Sequence, residues 1–211
     1  MIQILELFGG VGSPRVALRN LGIDVKAIDY VEIDEKAVRS YNAMFADELK
    51  YKTQSVVGWN LKPDILIHGS PCQDMSIAGH QGKAKAEDGR INHGKGADEG
   101  SGTRSSLMWE TIHIIEQMGV WKPRVVIWEN VKNVRSKHMI HNYNRYLSEM
   151  ERMGYTNSFE LLDARESTAS LTISTPITLF ACLLTAIPMV PVPAYISMHV
   201  SFPERLEALM A

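Results

Sequence analysis

The chain has 211 residues, of which 45% are hydrophobic and 22% are charged, and its net charge is −2 with an isoelectric point near 6.4. This is the composition of a globular protein that is long enough for one domain with its own core, and the near-neutral charge excludes nucleic-acid binding through an overall basic surface. The two cysteines, Cys72 and Cys182, form no CxxC pair, so we expect no disulfide framework, no metal site and a reduced, cytoplasmic protein. Prolines interrupt the apolar stretch 176–203, which argues against a membrane-spanning helix.

Strand and helix patterns alternate along the first two thirds of the chain. Short apolar runs predict strands at 2–8, 24–31, 63–70 and 124–131. Helical spacing of apolar residues, with helix start and stop signals, predicts helices at 13–21, 34–45, 105–119 and 142–154. Strands that are apolar throughout and alternate with amphipathic helices are typical of a parallel sheet covered on both faces. We therefore predict a doubly wound α/β fold with a mostly parallel sheet, in which ligands bind at the carboxyl ends of the strands.

Two regions depart from this alternation. Residues 77–106 are rich in glycine and mixed in charge, which is typical of a functional lid or of a solvated loop. From residue 167 onward the chain is dominated by Ser, Thr, Pro and small apolar residues, and we find no helical or strand periodicity there.

The first predicted strand ends in a glycine-rich turn, LFGGVGS at 7–13. Such a turn lets the backbone approach a ligand closely, although it can equally be required by packing. The spacing matches neither the dinucleotide GxGxxG pattern nor a phosphate-binding P-loop. Glu32 ends the second strand, where an acid can bind ribose hydroxyls or can simply begin the next helix. Together with Ile33, which can pack on an adenine ring, these features favour a cofactor that contains adenosine.

Two chemically active side chains follow later strands. Cys72 lies after Pro71 in the stretch HGSPCQDMS, at the end of the third strand, and Glu129 lies at the end of the fourth in WENV. A thiol at this edge of the sheet is a candidate nucleophile, while the alternative is a buried cysteine that only fills space. A carboxyl at the end of an apolar strand has a raised pKa if it is buried, and it could then donate a proton near neutral pH.

Four stretches follow one another along the chain: LFGGVGSPRVALRNLG, VEID, GSPCQDMS and WENV. This is the order found in the cytosine-5 DNA methyltransferases of bacteria and their phages, and residues 1–166 resemble that family. The resemblance implies a Rossmann-like fold and S-adenosylmethionine as cofactor. Cys72 then matches the nucleophile that attacks cytosine C6, and Glu129 matches the acid at N3. The residues matched to the cofactor pocket are Phe8, Gly10, Gly12, Glu32, Ile33, Pro71 and Leu107. The partner would be DNA with the target cytosine flipped out of the helix, and 77–106 would be the mobile loop that closes over it.

The chain also departs from the family pattern. Met75 replaces the usual Phe after PCQ, and Ser55 stands near the place of an Asp that would receive the adenine amino group. The stretch LLDARE at 161–166 resembles the lead-in to a segment of the form FGIPQxRxR, but that segment does not follow, and no target-recognition region is found. We therefore expect a catalytic domain over 1–166 that is incomplete at its C-terminus, an atypical tail over 167–211, and impaired activity unless a partner chain supplies target recognition.

Three other functions are compatible with parts of this pattern. One is a remnant that binds cofactor or nucleic acid without catalysis. Another is an RNA cytosine-5 methyltransferase with the same motifs. The third is a nicotinamide-dependent dehydrogenase, against which the glycine spacing argues.

Overall fold

Six strands form a mixed sheet in this computed structural model, which describes residues 1–20, 22–58, 62–72, 97–163 and 195–203. In chain order they are β1 (Ile2–Leu7), β2 (Val25–Val31), β3 (Ile65–His68), β4 (Val125–Val131), β5 (Tyr155–Asp163) and β6 (Tyr195–Pro203). Their spatial order is β2-β1-β3-β4-β6-β5. The four strands predicted from the sequence are confirmed, and they form one contiguous part of the sheet.

The register of the parallel strands brings their carboxyl ends to one edge. β1 pairs in parallel with β2 and with β3, and β3 pairs in parallel with β4. Leu7 at the end of β1 lies opposite Val31 and His68, the last residues of β2 and β3, and His68 lies opposite Trp128. The residues that follow these strands therefore meet at the same edge, as they do in a doubly wound fold.

Four α-helices accompany the strands in the described part of the chain: α1 (Ser13–Asn20), α2 (Glu35–Met44), α3 (Met108–Met118) and α4 (Ile140–Arg152). All four predicted helices are confirmed, with ends that differ by no more than three residues from the predicted ones. Asp34 begins α2, because its side chain accepts hydrogen bonds from the backbone N–H groups of Lys36 and Ala37. Within the described ranges, none of the helices has both the length and the apolar character that crossing a membrane requires.

The sheet buries apolar side chains on both faces. Leu5 and Leu66 belong to a large cluster with the buried sides of α3 and α4. Their sequence neighbours Ile4 and Ile67 belong to a second cluster with Leu18 of α1. Because successive side chains of a strand point to opposite faces, a strand that is covered on both sides must be apolar at every position.

Strand β6 (Tyr195–Pro203) lies in the tail, where we found no helical or strand periodicity in the sequence; that interpretation was wrong for residues 195–203. β6 pairs antiparallel with β4 on one side and with β5 on the other. Its sequence, YISMHVSFP, alternates apolar residues at 196, 198, 200 and 202 with polar ones at 197, 199 and 201. This period of two is the pattern of a strand, and the surrounding prolines obscured it. The rest of the tail, 167–194 and 204–211, lies outside the described residues, as do residues 164–166 before it.

The predicted mobile loop at 77–106 lies largely outside the described residues, which resume at residue 97. From there the chain is held against α4. Asp98 accepts a hydrogen bond of 2.8 Å from His141 Nε2, and Glu99 forms an ion pair with Arg145. The C-terminal end of the predicted loop is therefore anchored to the helical layer.

The central position of β6 predicts sensitivity to proline at Ser201, which lies opposite Val126 of β4 and Asn157 of β5. Proline has no backbone N–H, so Ser201→Pro removes a hydrogen bond from a strand that is paired on both sides. We expect it to lower the free energy of unfolding by at least ~1–3 kcal/mol in urea denaturation. Ser201→Ala keeps the N–H and is the matched control, and equal stability of the two variants would contradict the pairing of β6.

Candidate active site

A cavity of about 870 Å³ opens at the edge of the sheet where β1 to β4 end. Eight of the nine residues predicted from the sequence to form the site line this cavity: Phe8, Gly10, Glu32, Ile33, Pro71, Cys72, Leu107 and Glu129. Gln54 and Ser55, from the stretch predicted to adjoin the adenine, line it as well. The ninth residue, Gly12, is not part of the lining.

The glycine-rich turn combines a packing role with an open face toward the cavity. A Cβ at Gly12 would lie 2.5 Å from the ring of Tyr41, so this glycine allows close packing against α2. Gly10 has a φ of 54°, and a Cβ added there would meet nothing within 4 Å, so its space is open toward the cavity. Phe8 also has a positive φ, 55°, which is uncommon for a residue other than glycine and indicates a constrained turn.

Glu32 connects the glycine turn to the end of β2. Its Oε2 accepts a hydrogen bond of 2.9 Å from the Gly10 N–H, and its Oε1 accepts from the N–H groups of Ile33 and Asp34 at 2.7 and 2.9 Å. The carboxylate therefore fixes the distance between two walls of the cavity. Since the N-cap of α2 is Asp34, the alternative in which Glu32 only begins that helix is not supported.

Ile33 presents apolar surface at the rim of the cavity. Ile33 is 75% exposed. Burial of an isoleucine side chain away from water is favourable, so this exposed position can stabilise a bound apolar group. A flat apolar ligand group that enters the cavity would cover this surface.

Cys72 is a free, half-buried thiol that lines the same cavity as Glu32 at this edge of the sheet. Burial raises its pKa, and the nearby carboxyl of Glu129 raises it further because two negative charges repel each other. The alternative of a cysteine that only fills space is weakened, because Cys72 lines the cavity beside an acid.

Glu129 faces the cavity and is otherwise surrounded by protein. Burial raises the pKa of its carboxyl to about 7. Its Oε2 lies so close to Gly69 that a Cβ at that position would be 3.2 Å away, so glycine leaves room for the carboxyl. Within the described residues the Glu129 carboxyl has no hydrogen-bond partner, and it is therefore free to contact a ligand.

A smaller cavity of about 370 Å³ shares Phe8, Gly10, Gly69 and Glu129 with the larger one, and it reaches Glu6 in β1. Glu6 is buried, accepts a hydrogen bond of 2.6 Å from Tyr41, and has a pKa raised to about 7 by burial. This residue was not predicted from the sequence. A charged residue inside the apolar run IQILEL was the signal that could have identified it.

The serine before Pro71 is a second residue that was not predicted. Ser70 is buried and bonds to two side chains of β4, Trp128 and Asn130, at 3.0 and 3.2 Å. Nothing in the sequence signals this contact, because it depends on the register between β3 and β4.

A family model described as C-5 cytosine-specific DNA methylase matches residues 2–169. The type II methyltransferase M2.ScrFI of Lactococcus lactis subsp. cremoris is 30% identical, and the match covers 79% of this chain and 57% of that protein. The orphan methyltransferase M.Rho11sI of Bacillus phage rho11s is also 30% identical, with 78% and 30% covered. The chain thus spans between 30% and 57% of the length of these two relatives.

Among solved structures, the Dnmt2 methyltransferase of S. pombe matches with a TM-score of 0.62 and 13% identity, covering 96% of this chain and 51% of that one. A putative DNA modification methyltransferase encoded within an E. coli prophage matches with a TM-score of 0.60 and 15% identity, covering 98% and 48%. At this identity the structural likeness concerns the fold alone, and it confirms the predicted Rossmann-like architecture. The match of the family model over most of the chain shows that this protein belongs to the C-5 cytosine-specific DNA methylase family.

Proposed function

We propose that this chain transfers a methyl group from S-adenosylmethionine to C5 of cytosine in DNA, with Cys72 as the nucleophile and Glu129 as the acid. The observation that carries the proposal is the position of both side chains on one cavity, together with Glu32 and Ile33. The volume of about 870 Å³ is within the range of cavities that hold a small-molecule ligand. A reaction through a covalent adduct needs a thiol, an acid and a place for the cofactor in one cavity, and Cys72, Glu129 and the surface formed by Glu32 and Ile33 would supply them.

The part of the cavity around Glu32 has the groups that an adenosine ligand requires. Glu32 Oε1 already accepts two backbone hydrogen bonds, whereas Oε2 accepts one and retains a lone pair that can accept a hydrogen bond from a ribose hydroxyl. The exposed side chain of Ile33 supplies an apolar surface for the adenine ring. Phe8 and Gly10 would border the remainder of the cofactor.

The chemistry follows from the poor nucleophilicity of cytosine C5. Cys72 attacks C6 as a thiolate, and a proton from Glu129 at N3 takes up the electron pair, so that the ring becomes an enamine. When bound, S-adenosylmethionine would supply the methyl group to C5 as an electrophilic sulfonium, with S-adenosylhomocysteine as the leaving group. Loss of the C5 proton to a base and elimination of the Cys72 thiolate then restore the aromatic ring. The target base must leave the DNA helix to reach this depth.

The protonation states of the two groups are coupled. Repulsion between the thiolate and the Glu129 carboxylate disfavours their simultaneous ionisation, and it adds to the effect of burial in raising the pKa of the Cys72 thiol. A protonated Glu129 therefore favours the thiolate, because the repulsion that its carboxylate would exert is then absent. The same protonated carboxyl is the proton donor that the attack requires.

The raised pKa of Glu129 predicts a pH dependence of stability. Because the folded state holds this proton more tightly than the unfolded state, its contribution to the free energy of unfolding falls as the pH rises from about 4.5 to about 7. We expect Glu129→Gln to gain stability relative to the parent between pH 5 and pH 8, by on the order of 3 kcal/mol, in thermal or urea denaturation. Asp47→Asn, which changes an exposed carboxyl, is the control. A stability difference between the parent and Glu129→Gln that is independent of pH would contradict this assignment.

The proposed nucleophile predicts a cysteine-specific loss of activity. We expect the parent to transfer tritiated methyl from S-adenosylmethionine to duplex DNA at the low rate that the missing recognition segment predicts, and Cys72→Ser to lose even that transfer, because an alcohol at this position is too weak a nucleophile.

Cys182→Ser, which removes the other cysteine, is the matched control and should retain the activity of the parent. Equal transfer by the parent and by Cys72→Ser would contradict the mechanism. Transfer to tRNA in preference to duplex DNA would contradict the assigned substrate.

A further inference from the structure

We propose that Ser70 is a positioning residue, whose hydroxyl holds the backbone that carries Cys72 at the distance from Glu129 that the reaction needs. This inference rests on the proposed function, because it concerns the geometry of the same two reactive groups. It assigns a role to a side chain that neither donates the proton nor attacks the substrate.

The Ser70 hydroxyl accepts hydrogen bonds from two side chains of the neighbouring strand. Trp128 Nε1 donates to Ser70 Oγ at 3.0 Å, and Asn130 Nδ2 donates to the same oxygen at 3.2 Å. Asn130 Nδ2 also lies 3.3 Å from the carbonyl oxygen of Ser70. All three residues are at most 4% exposed, so water does not compete for these bonds.

The indole of Trp128 is itself held in place by stacked rings. It lies parallel to the His68 ring, at 5.9 Å and 1°, and its centroid is 4.3 Å from that of Tyr146 in α4. His68 in turn bonds to Tyr146 through Nε2 at 2.9 Å and to Thr111 of α3 at 3.3 Å. The position of the Trp128 N–H is therefore determined by the helical layer, and it provides a rigid anchor for the Ser70 hydroxyl.

Along the chain, Ser70 lies between Gly69 and Pro71, which precedes Cys72. On one side is Gly69, where an added Cβ would lie only 3.2 Å from Glu129 Oε2, so the Glu129 carboxyl packs against this part of the backbone. On the other side is Pro71, whose ring restricts the backbone that leads to Cys72. Because the Pro71 ring restricts the torsions between Ser70 and Cys72, a displacement of Ser70 moves the Cys72 thiol relative to the Glu129 carboxyl. Reacting groups tolerate little such displacement, since an error of 1 Å can lower a rate by about 100-fold.

Three variants test this role, and all are compared with the intact parent chain. Ser70→Ala removes the acceptor, Trp128→Phe removes one of its two donors, and the double variant makes both changes. The control is Ser136→Ala, because the Ser136 Oγ is buried but has no hydrogen-bond partner within the described residues. For each variant we would measure thermal denaturation and the kinetic constants of methyl transfer. We would also measure, by mass spectrometry of the Cys72 peptide, the rate at which iodoacetamide alkylates Cys72 across a range of pH.

If Ser70 positions Cys72, each single variant lowers kcat about 10- to 100-fold with little change in KM for S-adenosylmethionine. The double variant is then no slower than the slower single variant, because all three lose the same bond. Stability recovers in the double variant, since no buried indole N–H is left without an acceptor, but kcat does not recover. The alkylation profile of Cys72 shifts to lower pH in the variants, because a less restrained loop exposes the thiol to water.

The proposal is overturned if kcat recovers together with stability in the double variant, because Ser70 would then serve the fold alone. It is also overturned if Ser70→Ala keeps the kcat and the alkylation profile of the parent. If the parent itself transfers no methyl group, the proposed function fails, and the alkylation profiles still decide whether Ser70 restrains Cys72.

Discussion

The placement of the Glu129 carboxyl beside the Cys72 thiol is the interaction on which the other features of the site depend. Burial raises the pKa of both groups, and their mutual repulsion adds to the effect on the thiol. A carboxyl in this position destabilises the fold at neutral pH unless it holds a proton. In the proposed reaction, the same condition gives the site a proton donor next to the proposed nucleophile. Burial of the Glu129 carboxyl thus both lowers the stability of the fold at neutral pH and raises the pKa of a group that can donate a proton, as is common at functional sites.

The remainder of the cleft is built by polar contacts that hold separate strands in register. Glu32 joins the glycine turn after β1 to the end of β2, and Ser70 joins the end of β3 to β4. Each contact uses a polar side chain between two strand ends that meet only because the strands are parallel and aligned. The cavity is therefore a consequence of the sheet register, and its two ends, around Glu32 and around Cys72, have separate supports.

Much of the fold follows directly from the sequence, because strands buried on both faces and amphipathic helices have strong patterns. The runs containing Leu5 and Leu66 are apolar at almost every position, and they were identified for that reason. β6 was missed because its alternation lies among prolines and serines, and its place between β4 and β5 depends on pairings that are distant in sequence. Within the site, most predicted residues line the cavity, but Gly12 packs against Tyr41 instead. Ser70 was missed because its environment arises only when the strands assemble, whereas Glu6 was missed although it is a charged residue inside an apolar run.

A direct measurement of the central claim uses duplex DNA that contains 5-fluorocytosine, together with S-adenosylmethionine. Fluorine at C5 cannot leave as the proton does, so an enzyme that attacks C6 and transfers the methyl group remains covalently bound to the DNA. The account predicts a stable protein–DNA adduct whose mass includes the methyl group and whose attachment maps to Cys72. A chain that binds S-adenosylmethionine and this DNA but forms no adduct, or forms one at another residue, would contradict it.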